Sequence, residues 1–330
     1  MANDTSIAWT DYTINAGRGC TKVSPGCDYC YSERDDQRWG NTFTTIRPRP
    51  KAFADMFALS RKVARERPGD TARVFLNSMT DTFHPAYSAD YTAELMTVMA
   101  LTPNLTYQVL TKRHARLRAF LTNVDWLRAR MSNVASTYAR QRPDLDDITR
   151  HVYDLPYPLS NVHFGVSAES QEYAHRRIPK LLAAPAGRRF VSIEPMLGPV
   201  DLETFGWLGG ECGECQSGTV GFDEGTCLAC SGAGRRPGLD WVILGGESGF
   251  GTGYRPVELE WMRDVVAQCR EAGVAVFVKQ LGTAQARRLG LRDFKGEGMS
   301  EWPADLDDLR VREFPVPVTL HAPSTPQLTK

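Results

Sequence analysis

Short apolar runs alternate with longer amphipathic stretches along most of the chain, and this alternation constrains the fold more than any other feature. Strands are expected near Tyr12–Ala16 and at Arg73–Asn77, Thr106–Thr111, Asn161–Ser167, Arg189–Ile193, Trp241–Leu244 and Val274–Val278. Several are apolar and β-branched throughout, as strands buried on both faces are. Helices are expected at Tyr31–Arg38, Ala52–Arg65, Ala89–Leu101, 115–130, Gln171–Ala183 and 257–272, the last stopped by Gly273. Residues 132–160, polar and Pro-containing, read as an insertion. Strand followed by helix, repeated about six times, implies a parallel sheet. No Gly-rich phosphate loop follows an early strand, so a partial or full (β/α) barrel fits better than a doubly wound sheet.

Such a barrel carries its working groups on the loops at the strand C-termini. The expected strand ends supply the Cys20 loop, Ser78 and Asp81, Lys112 and Arg113, Ser167 and Glu169, Glu194, Glu247 and Ser248, and Lys279 and Gln280. Of these, Asp81, Ser167, Glu169 and Glu194 are the candidates for cofactor or substrate contacts. In Gly245-Gly246-Glu247-Ser248-Gly249, glycines would let the backbone approach a ligand closely.

The loop after the first strand holds Cys20, Cys27 and Cys30 within eleven residues, spaced C-x6-C-x2-C. Gly17, Gly19, Pro25 and Gly26 keep it out of regular structure. Gathered thiolates suit a soft metal. Closed structural sites use four ligands, and three leave a coordination position open for chemistry. No histidine precedes His84, so a zinc site here would need a distant fourth ligand. A [4Fe–4S] cluster with one bare iron would need none. Zinc and uncoordinated thiols remain as alternatives.

Cys27-Asp28-Tyr29-Cys30 resembles the C-x-aromatic-C ending of the motif in radical S-adenosylmethionine (SAM) enzymes, although six residues separate the first two cysteines where three are commonest. The run Ile7-Ala8-Trp9-Thr10-Asp11 and the cysteine loop resemble a phage and bacterial family of three-Cys-motif proteins. Gly165-Val166-Ser167, Ser192–Pro195, Asp240–Gly249 and Phe277–Gln280 are similar to its later blocks, so the resemblance spans roughly residues 5–282. It implies a radical SAM enzyme on a partial (β/α)6 TIM-type barrel. Cys20, Cys27 and Cys30 would bind the cluster, Tyr29 would pack near the adenine of SAM, and an external electron donor would be required. Such an enzyme forms a 5′-deoxyadenosyl radical that abstracts hydrogen from its substrate. The phage resemblance points to a hypermodified thymine in DNA, with rearrangement of an amino-acid adduct. Base-lesion repair, peptide modification and a non-catalytic zinc and DNA-binding protein are the alternatives.

A second set, Cys212, Cys215, Cys227 and Cys230, has the spacing C-x2-C-x11-C-x2-C. Paired knuckles of this kind signal a closed four-thiolate site, for zinc or an auxiliary cluster. The expected organisation is a barrel over 1–292, a four-cysteine insert at 209–238 and a C-terminal extension over 293–330. Cys269, among Met262, Val265 and Val266, reads as a core thiol. Lys plus Arg and Asp plus Glu balance at 39 each, so net charge gives no argument for a polyanionic partner. The run Lys112–Arg118 reads as a solvated helix face or a phosphate contact. The expectation is a cytoplasmic protein, in the host cytoplasm if phage-encoded. There is no apolar run long enough for a membrane and no secretory signal.

Overall fold

The structure, a computed structural model, describes residues 3–141, 152–211, 215, 219–220, 225–226, 235–251 and 253–316. Seven parallel strands form one sheet: β1 (Tyr12–Ile14), β2 (Ala72–Leu76), β3 (Leu105–Thr111), β4 (Val162–Ser167), β5 (Arg188–Ile193), β6 (Trp241–Gly245) and β7 (Ala275–Gln280). They lie side by side in chain order, with the two-residue strand Asn3–Asp4 antiparallel on the β1 edge. The sheet is curled into a half-barrel, with β1 and β7 unpaired to one another. An order without reversal has no switch point, so this is not a doubly wound sheet. Its seven strands are the seven expected from the sequence, one more than the (β/α)6 barrel implied by the resemblance.

Helices α1 (Tyr31–Arg38), α2 (Lys51–Glu66), α3 (Ala89–Ala100), α4 (His114–Thr122), α5 (Val124–Gln141), α6 (Gln171–Leu182) and α7 (Leu259–Ala272) connect the strands, and α8 (Thr283–Arg288) follows β7. Ser88 caps α3 by accepting from the Tyr91 amide at 3.1 Å, and Gly273 ends α7 with φ at 65°. The single helix expected at 115–130 is two, interrupted at Asn123, and α5 continues into the expected insertion. Leu127, Met131 and Ala135 form its buried stripe at four-residue intervals, hidden in the sequence among polar neighbours. Between β5 and β6 no helix occurs among the described residues. There Gly210–Glu211 pairs antiparallel with Arg235–Arg236, closing the base of the insert, and Thr219–Val220 pairs with Gly225–Thr226.

Side-chain alternation divides the strands between two cores. Val74, Leu76, Val242, Leu244, Val276 and Val278 belong to the large core that includes the helices. Phe75, Phe190, Trp241, Ile243 and Phe277 form a second cluster with Trp9 of the N-terminal segment. The Trp9 ring lies 4.5 Å from Phe75 and 6.0 Å from Trp241, and Gln108 donates to the Trp9 carbonyl at 3.1 Å. Gly165 of β4 leaves room for Phe190, which a Cβ there would overlap. Beyond α8, Trp302, Leu306 and Leu309 are buried. Arg312 bridges to Phe277 on β7, and the Phe314 ring packs 5.5 Å from Trp241. The extension thus covers the N-terminal end of the last strands. Residues 317–330 lie outside the described residues. No described helix is long and apolar enough to cross a membrane.

Candidate active site

At the C-terminal ends of the strands a cavity of about 700 Å³ opens. Cys20, Cys27, Cys30 and Tyr29 line it, together with Asp81, Ser167 and Glu194. Ser78, Lys112, Arg113, Glu247, Ser248, Lys279 and Gln280 line it as well, so nearly the whole expected strand-end set converges. Glu169 is the exception. It is fully buried and lies outside the lining.

Glu169 instead holds the cysteine loop from below. Its Oε1 accepts from Ser24 Oγ at 2.7 Å and from Lys112 Nζ, and its Oε2 accepts from Arg177 Nη1 at 3.0 Å. Burial opposes ionisation of this carboxyl, but Lys112, Arg177 and Ser24 outweigh it and hold the group down at about 2. The loop meets Glu169 at Gly26, where a Cβ would overlap the carboxylate. Arg177 projects from α6 among buried Ala174, Ile178 and Leu181. An arginine in that apolar stripe is the sequence signal that could have revealed the pair.

Asp81 holds the opposite end of the loop. Both of its oxygens are engaged: Oδ1 accepts from the Phe83 amide and from Thr111 Oγ1 at 2.7 Å, and Oδ2 from the Lys112 amide and from Arg113 Nη1, each at 3.0 Å. Arg113 then donates to Cys20 Sγ at 3.5 Å and to the Thr21 carbonyl at 3.1 Å and hydroxyl at 2.8 Å. His84 Nδ1 accepts from the Ala86 amide, so in the neutral ring Nε2 carries the proton and donates to Thr21 Oγ1 at 3.1 Å. Burial, and then Arg113, lower the pKa of His84 and favour that neutral form. Lys112 and Arg113 are therefore neither a solvated face nor free for phosphate. Burial pushes the Cys20 thiol up to about 11 against the pull of Arg113, and burial also raises Cys30.

A third brace comes from the loop after β6. Arg255 donates through Nε to Glu247 at 3.1 Å, and its Nη2 reaches Glu247 and the Pro25 carbonyl, the latter at 2.9 Å. Its Nη1 reaches Asp28 at 3.2 Å, and the guanidinium lies 5.3 Å from the centre of the Tyr29 ring. Nothing local in the sequence announced this partner. Gly246 serves the neighbouring loop, since a Cβ there would overlap the Leu281 carbonyl. Elsewhere on the cavity wall Lys279 Nζ donates to Glu194 at 2.6 Å and Gln280 donates to Ser248 Oγ at 2.7 Å. Trp9, Phe75 and Leu110 add apolar lining. At the rim Phe250 is 82% exposed and stacks on Phe294 with centroids 4.4 Å apart.

The three thiols share one cavity, yet no three Cys, His, Asp or Glu among the described residues converge as they would on a single ion. Cys212, Cys227 and Cys230 lie outside the described residues, and Cys215 is half-buried. Cys269 is fully buried in α7, as a core thiol should be, and burial pushes it up to about 12.

A family profile described as "Protein of unknown function (DUF5131)" matches residues 4–313. No curated protein matches the sequence. Among solved structures, a spore photoproduct lyase mutant with bound AdoMet and dinucleoside spore photoproduct is similar at 14% identity and a TM-score of 0.38. A spore photoproduct lyase complexed with dinucleoside spore photoproduct is similar at 15% identity and a TM-score of 0.37. Each match covers 59% of this chain and 48% of the other, so the chain spans about half the length of those structures.

Proposed function

Starting from a chain that belongs to the DUF5131 family of unknown function, we propose that it is a radical SAM enzyme. The observation that carries this reading is the placement of Cys20, Cys27 and Cys30. They sit on the loop after the first strand of a parallel half-barrel, line the cavity at the strand C-termini, and are braced by Glu169, Asp81–Arg113 and Arg255. Cys20, Cys27 and Cys30 would hold a [4Fe–4S] cluster. With SAM bound and one electron from an external donor, that group supplies reductive cleavage of the sulfonium to a 5′-deoxyadenosyl radical. The chain's own residues bind, orient and exclude water. Tyr29, Ser167 and Glu194 line the cavity where SAM and substrate would meet, with Glu194 held by Lys279. Asp81 and Glu169, their oxygens engaged by protein donors, fix the loop.

The proposed substrate is a base in nucleic acid, with a hypermodified thymine in DNA first. The rim supports it: Phe250 on Phe294, the exposed rings of Tyr29 and Tyr31, and Lys295 together offer stacking faces beside a cation. The four-cysteine insert is proposed as a zinc site, supported by its spacing and by the strand pair that closes its base. The test is 5′-deoxyadenosine release by anaerobically reconstituted protein with SAM and dithionite. Release by wild type and none by Cys27→Ala supports the reading, and iron-loaded protein that leaves SAM intact defeats it. Faster release with modified-thymine DNA than with unmodified DNA or peptide would support the substrate.

A further inference from the structure

The braces are not equivalent, because only one of them reaches a cysteine sulfur with a charged donor. Arg113 Nη1 lies 3.5 Å from Cys20 Sγ. Near Cys27 Sγ lies the neutral hydroxyl of Ser24, at 3.8 Å, whose proton goes to Glu169. Cys30 occupies the N-cap of α1, where its backbone is extended. The Arg113 side chain is only 8% exposed. Its other terminal N–H groups are committed to Asp81 Oδ2 and to both oxygens of Thr21, so it has little freedom to turn toward a substrate anion. Asp81 is itself fixed by Phe83, Thr111 and Lys112, and the Thr21 hydroxyl by His84. A guanidinium fork held on three sides keeps one N–H directed at one sulfur.

We propose that Arg113 is a positioning residue that raises the reduction potential of the centre held by Cys20, Cys27 and Cys30, with Asp81 and Thr21 as its supports. The inference rests on the cluster reading above. A hydrogen bond to a coordinating sulfur and a nearby cation both favour the more negative, reduced state, and hydrogen bonds to the sulfurs are among the groups that set such potentials. The couple is one-electron, with the electron supplied by dithionite in the assay.

The experiment is an EPR-monitored redox titration of the reconstituted full chain, with iron content measured on each sample. Wild type, Arg113→Gln and Arg113→Lys are compared. Removing the cation is expected to shift the reduced-to-oxidised ratio at fixed potential by about tenfold toward oxidised, about 59 mV for one electron. The lysine variant should recover part of that shift. A glutamine variant with full iron and an unmoved potential overturns the inference. Should that variant not retain iron, the lysine variant decides. Its single ammonium cannot serve Cys20, Asp81 and Thr21 as the fork does, so a potential equal to wild type overturns the inference there too. Wild type that takes up no iron overturns it together with the cluster reading, whereas loaded protein with unmoved potentials overturns it alone.

Discussion

Replacing Glu169 with Gln tests how the cysteine loop is held. The change keeps the shape and removes the charge. Glu169 is fully buried against Lys112, Ser24 and Arg177, and the Arg177 side chain is 2% exposed. Glutamine therefore leaves buried cations without a counter-ion, a change that costs about 3–5 kcal/mol. The carboxyl's own titration gives a second figure. A group lowered from 4.5 in the unfolded chain to about 2 in the folded one contributes about 3 kcal/mol at neutral pH. Because the folded value is the depressed one, that stabilisation is fully present above the unfolded value and is lost as pH falls toward about 2. Urea unfolding followed by tryptophan fluorescence should show Glu169→Gln about 3 kcal/mol less stable at pH 7, with the gap roughly 1 kcal/mol narrower at pH 4. A gap under about 1 kcal/mol at pH 7, or one that does not narrow, would refute the reasoning.

Gly26→Ala should press a methyl group into Glu169, which its partners prevent from moving aside, and cost about 1–3 kcal/mol in the same unfolding assay with lower iron retention. Cys269 should resist thiol reagents in the folded protein and react only in urea, and Cys269→Ala should leave iron content unchanged, because the thiol is buried in the core. Trp9→Ala should cost about 3–5 kcal/mol, since it removes the ring around which Phe75, Phe190 and Trp241 pack. Arg255→Gln should speed hydrogen exchange at residues 25–31, read by mass spectrometry, because it removes the charged link from Glu247 to Asp28 and Pro25. Unchanged exchange there would show that the other two braces suffice.

The strands and most helices were legible because each apolar run is short, buried on both faces and bounded by a cap, glycine or polar loop. The strand-end rule also gathered the cavity residues, since parallel strands deliver their C-termini to one side. What local pattern could not supply was which polar groups would pair. Lys112 and Arg113 look like the start of a charged helix, yet Glu169 and Asp81 hold them inside the site. Asp28 and Arg255 meet across 227 positions of sequence. Glu169 stood in the right place for a ligand contact, and only the three-dimensional position of Arg177 and Ser24 shows its carboxylate already engaged. Helix α5 extended past its expected end because three buried residues outweighed a polar composition.

Cys20, Cys27 and Cys30 are proposed to hold one iron–sulfur cluster together. Anaerobic reconstitution followed by iron, sulfide and zinc analysis, on wild type and on Cys27→Ala, tests it most directly. Wild type should hold about four irons and about four sulfides per chain, both lost in the variant, with about one zinc retained in each. Zinc without iron in the reconstituted wild type, or iron that survives Cys27→Ala undiminished, would contradict it.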